Sequence, residues 1–133
     1  MTLVTIDSAT AKSKFLKEAF TLKHSLAGHA LFTLPSLVEL AKSLPRDRIE
    51  YNSGHPAYRS ILETFVREAN IAAGRQPGDF DDIQGFIFVS SANATTPFHI
   101  DAEENILIQI HGDKFVRTFN NDDRALVPEE EME

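Results

Sequence analysis

TPFHIDAEENILIQIHGDK, residues 96–114, decides how this chain is read. In a β-strand, residues i and i+2 share a face, so this stretch predicts the His99 imidazole and the Asp101 carboxylate side by side. Along NILIQIHG, residues 105–112, Asn105, Leu107, Gln109 and His111 fall on one face and Ile106, Ile108 and Ile110 on the other. That alternation is the period-2 pattern of a strand with one polar-bearing and one aliphatic side. HGDK is short enough to reverse the chain, which places Lys114, Val116 and Thr118 on one face of a returning strand. Groups this costly to desolvate, on segments that otherwise read as core, point to a site.

Working outward, GFIFVSS (85–91), TPFHID (96–101), NILIQIHG (105–112) and KFVRTF (114–119) are short and rich in Ile, Val, Phe and Thr, and they predict four strands. AGRQPGDFDD marks the change from helical to strand periodicity. Upstream, residues 10–20 space Phe15, Leu16, Ala19 and Phe20 as a short amphipathic helix. Leu34-Pro35-Ser36 opens a second helix that Pro45 stops. Pro56 opens a third, with Tyr58, Ile61, Leu62, Phe65, Val66 and Ala69 as its apolar stripe and Gly74 near its end. Downstream, ALVPEEEME reads as a solvated acidic turn.

The chain has 133 residues, 42% of them hydrophobic, which suits one domain. With 20 acidic against 13 basic side chains, a net charge of -7 and no basic block, the composition argues against a nucleic-acid partner. There is no cysteine, so disulfides, thiolate ligands and a cysteine nucleophile are excluded, and any metal is held by nitrogen and oxygen. The N-terminus lacks a basic start followed by an apolar run, and no segment approaches the ~20 apolar residues of a membrane span. These features predict a soluble, cytoplasmic protein with no membrane partner. Asp79, Asp81 and Asp82 lack the glycine and terminal glutamate of a calcium loop, and no G-x-S-x-G or phosphate-cradling glycine loop is present.

A His-x-Asp pair can chelate a divalent metal, and with a remote histidine it makes the 2-His-1-carboxylate triad of non-haem Fe(II) oxygenases. The pair gains specificity from its surroundings. Thr96, Pro97, His99, Asp101, Asn105, Gln109, Gly112 and Lys114 resemble the T-P-x-H-x-D-x-x-x-N-x-x-x-Q-x-x-G-x-K segment of JmjC-type, cupin-like Fe(II)- and 2-oxoglutarate-dependent oxygenases, in the branch that includes an asparaginyl hydroxylase. The resemblance implies an α+β fold in which N-terminal helices (1–78) buttress a partial double-stranded β-helix, the cupin or jelly-roll sheet, over 79–133. It implies His99 and Asp101 as the first two Fe(II) ligands, and Lys114 with Thr96 on the distal carboxylate of the 2-oxoglutarate cosubstrate. Asn105 would bond near the metal-chelating end, and Gln109 would line the pocket. The reaction implied is hydroxylation of an unactivated C–H bond in a small-molecule or peptide substrate, with succinate and carbon dioxide as coproducts.

The chain departs from that pattern downstream. The family's third ligand is a histidine well beyond the lysine, whereas this chain has none after His111 and only 19 residues after Lys114. His111 would lie roughly 20 Å from Asn105 at ~3.3 Å per residue, at the rim. His24, His29 and His55 read as capping or surface groups. The expectation is therefore the N-terminal half of a barrel, inactive or nearly so. Three explanations stay open: a chain cut short, a short relative that has lost catalysis, or two chains completing one barrel. Unpaired sheet edges favour a homo-oligomer. The opposing reading is a non-catalytic cupin-like binding or assembly module.

Overall fold

A computed structural model describes residues 2–43, 55–101, 103–120 and 123–126. The chain divides into two compact units, Met1–Ile87 and Phe88–Glu133. In the first unit the order is β1 (Val4–Thr5), α1 (Ser8–Lys14), β2 (Lys23–His24), two 3-10 turns (Leu26–Gly28 and Ala30–Phe32), α2 (Leu34–Ser43) and α3 (Pro56–Ala72).

α3 forms where its apolar period predicts. Pro56 occupies the first turn, where a missing N–H costs nothing, and Phe65, Ala69 and Asn70 are buried. Gly74, at φ +75°, ends the helix. Its N–H donates to the Ile71 carbonyl at 3.0 Å and the Arg75 N–H to that of Asn70 at 2.9 Å, a Schellman closure. The buried Asn70 amide donates to the Asp79 carbonyl at 3.3 Å, tying down the Gly-Pro-Asp loop. α2 also begins at Leu34 as expected; its proline stop, nearly all of the loop after it and the terminal acidic run lie outside the described residues.

α1 differs from the expected 10–20 helix. Asp7 starts it earlier, its carboxylate accepting from the Thr10 N–H at 2.8 Å and the Thr10 hydroxyl at 2.9 Å. Phe15 (φ -55°, ψ 126°) and Leu16 (φ 60°) then make a type II turn, closed by the Lys17 N–H on the Lys14 carbonyl at 2.9 Å. Phe15, Leu16, Ala19 and Phe20 thus fall beyond the helix.

The core of this unit gathers Leu3, Val4, Ala11, Leu26, Phe32, Leu40, Phe65 and Ala69. β1 and β2 pair antiparallel, Val4 with His24 and Thr5 with Lys23. Glu68 of α3 fixes this ribbon, its Oε2 accepting from the Leu3 N–H at 2.7 Å and the Val4 N–H at 2.8 Å. Tyr58 donates its hydroxyl hydrogen to the Leu31 carbonyl at 2.6 Å, linking α3 to the second 3-10 turn. No helix among the described residues is long and apolar enough to cross a membrane.

The expected α+β fold, with helices on a partial double-stranded β-helix, is corrected. Among the described residues there are three α-helices and one two-stranded sheet, and none of the four stretches between Gly85 and Phe119 is a strand. Backbone bonds in this region include local turn closures, such as the Ala94 N–H to the Ser91 carbonyl and the Asp123 N–H to the Asn120 carbonyl. A strand is stabilised by a neighbouring ladder and by something that covers its apolar face. Here Phe88, Val89 and Phe115 are 76%, 92% and 87% exposed, so alternation supplied a face without a layer to bury it.

Candidate metal centre

His99 and Asp101 do converge, although their backbone is not a strand. The His99 Nε2 lies 3.7 Å from Asp101 Oδ2. The other ring nitrogen, Nδ1, is 2.9 Å from the Pro97 carbonyl. A carbonyl only accepts, so Nδ1 carries the hydrogen, and in the neutral ring Nε2, the nitrogen near the carboxylate, is left as the donor atom for a metal. This is how metal-binding histidines are commonly oriented, with the second nitrogen donating to a carbonyl. Asn105 donates from Nδ2 to that same oxygen, Asp101 Oδ2, at 2.7 Å and so orients the carboxylate.

Two donors each about 2.1 Å from an ion can be at most about 4.2 Å apart, so a single divalent ion can reach both, and adjacent octahedral positions, about 3.0 Å apart, need only a small closing movement. The donor set, one imidazole and one carboxylate, suits a borderline or hard divalent ion such as Fe(II) or Mn(II). Both side chains are about half exposed, 59% and 49%, so the other positions around a bound ion would be open to water. No third histidine, aspartate or glutamate joins them among the described residues.

The other expected site residues are less gathered. Lys114 and Thr96 are exposed, and no carboxylate pairs with the Lys114 ammonium among the described residues, which leaves its charge available to an anion. Phe98 and Phe119 meet edge to face at 5.7 Å, a contact that joins the His99 segment to the returning Lys114 segment. Asn105, expected near the cosubstrate, is instead spent on Asp101. Gln109 donates to the His111 carbonyl at 2.8 Å and so braces the turn at Gly112 rather than lining a pocket. The signal for the Asn105 role was present as D-x-x-x-N, and that for Nδ1 as the Pro97 carbonyl two residues before the ring.

The remaining histidines hold structure. His24 and His29 accept at Nδ1 from the Leu26 and Leu31 N–H groups, both at 3.2 Å, and each opens a 3-10 turn. His55 precedes α3 and packs edge to face on Tyr58 at 5.3 Å. Comparisons with protein-family models, with curated proteins and with solved structures give no match.

Proposed function

We propose that the segment 96–114 is the cofactor-binding strip of an Fe(II)- and 2-oxoglutarate-dependent oxygenase, with His99 and Asp101 as metal ligands. The observation that carries this reading is the His99 Nε2 atom 3.7 Å from Asp101 Oδ2, with the ring's Nδ1 bonded to the Pro97 carbonyl. The proposal rests on these side chains and their resemblance to that family, not on a barrel. Dioxygen would be the oxidant: bound iron would supply its activation, the keto acid would give two electrons in decarboxylating to succinate and carbon dioxide, and the C–H bond would give the other two.

The chain's own groups have separable roles in this reading. His99 and Asp101 bring one neutral and one negative donor, leaving positions open for water or a chelating anion. Asn105 keeps the carboxylate aimed. Lys114 supplies a point charge for the far carboxylate of the cosubstrate, and Thr96 a directed hydroxyl. Two protein ligands on an open surface hold a divalent ion weakly, so the chain alone turns over slowly or not at all.

The test is a calorimetric titration of Mn(II) and 2-oxoglutarate, singly and together. Weak metal binding that tightens with 2-oxoglutarate, disappears in His99→Ala and loses its 2-oxoglutarate dependence in Lys114→Ala supports the oxygenase reading. Metal binding that is absent, or unchanged in His99→Ala, contradicts it.

A second reading is favoured by the exposure of Phe88, Val89 and Phe115: a non-catalytic assembly segment that buries these residues against another copy of the chain. Light scattering separates the two. A dimer that dissociates in Phe88→Ser or Phe115→Ser, with no metal bound by either form, favours assembly.

A further inference from the structure

We infer that a cavity in the first unit binds a small organic anion carrying an apolar group, such as an aryl or alkyl phosphate. This cavity is an open depression of about 330 Å³ rather than an enclosed one, lined by Lys12, Phe15, Leu16 and Lys17 from α1 and its closing turn, and by Ala73 and Arg75 from the end of α3. A volume of this size is at the lower end of small-molecule sites.

Its chemistry runs against that of the molecule. The chain carries a net charge of -7, yet three of the six lining side chains are cationic. Arg75 is partly neutralised: its Nε and Nη2 donate to Asp79 Oδ2 at 2.9 and 2.6 Å, and the guanidinium lies 5.7 Å from the centre of the Phe15 ring. Lys12 and Lys17 have no carboxylate partner among the described residues, since Glu18 pairs with Lys14. The stem of Lys12 is held against the Gly74 turn, where an added β-carbon would come within 3.2 Å of its Cε. Two unpaired ammonium groups therefore share an opening with an aromatic ring and an aliphatic side chain.

Leu16 is the second, independent observation. It occupies the third position of a type II turn at φ 60°, a conformation that glycine adopts freely and a leucine does not, and it is 46% exposed. Packing does not repay that strain, because nearly half of the side chain faces water. A ligand whose apolar group covers the exposed side of Leu16 would recover part of it on binding.

The test uses the full chain, with phenyl phosphate as probe and inorganic phosphate and phenol as controls, read from amide chemical shifts. The expected result is saturable shifts of residues 12–17 and 73–75, with phenyl phosphate binding at millimolar or tighter concentration and each control at least about fivefold weaker. Lys12→Gln/Lys17→Gln should weaken phenyl phosphate at least about fivefold and flatten its salt dependence. Leu16→Gly should weaken it while raising Tm, an opposition that a purely structural Leu16 would not produce. Displacement by short-chain phosphatidic acid would assign the phosphate to a lipid headgroup, and its failure to displace would assign a free ligand; both outcomes uphold the site. No saturable shift, or binding unaffected by the double lysine substitution, overturns it.

Discussion

Asp7 shows how much one side chain decides. The Thr10 N–H, followed by the Thr10 hydroxyl, holds its carboxyl below the usual value of 3.8. A depressed carboxyl contributes stability that is complete above its unfolded value and is lost as pH falls through the folded one. The Tm advantage of the protein over Asp7→Asn should therefore be constant above about pH 4 and vanish below it. Glu68, accepting from two backbone N–H groups of β1, carries a larger stake. Glu68→Ala leaves those donors partly buried and unpaired, an expected loss of about 1–3 kcal/mol in urea unfolding. At the candidate centre, Asn105→Ala frees the carboxylate it orients and should weaken Mn(II) binding about 10–100-fold, with His99 untouched. The sequence made the His99–Asp101 pair legible because i and i+2 side chains stay neighbours even without a sheet. The pairing of Asn105 with Asp101 was missed, because the family resemblance directed attention to the metal-chelating end of the cosubstrate, although the D-x-x-x-N spacing carried the signal.

At the scale of elements, legibility followed the source of stability. α3 was readable because its stripe, its opening proline and its closing glycine all agree, and each acts within a turn or two of the chain. Gly74→Ala should lower stability by about 1 kcal/mol or more, since a β-carbon at φ +75° is strained and meets the Lys12 stem, and the loss should show as fraying of the last turn of α3 in hydrogen exchange. α1 was misplaced because its apolar residues belong to the turn that ends it, and hydrophobic spacing does not distinguish a final helical turn from a type II turn. β1 and β2 were missed for the opposite reason: two residues each show no period, and their pairing depends on Glu68, more than sixty residues away. The stretches from 85 to 119 carry strand composition in full. Composition states what a strand would bury, and says nothing of the neighbour that must bury it.

For the whole molecule, the two units differ in how their backbone is held. In Met1–Ile87, helices and a ribbon share one apolar core, whereas the described residues of Phe88–Glu133 form no helix or strand and include turn closures such as the Ala94 N–H on the Ser91 carbonyl. Amides of α3 should therefore exchange far more slowly than those of residues 105–119, at pH and temperature where both are measurable. A chemistry-bearing segment on such a backbone can still present two ligands, because their geometry is set by Pro97 and Asn105 within a few residues. The central claim is that His99 and Asp101 share one divalent ion, and paramagnetic broadening of amide signals by substoichiometric Mn(II) tests it most directly. The account predicts broadening centred on residues 97–105 and abolished in His99→Ala; broadening centred on Asp79–Asp82, or none at all, would contradict it.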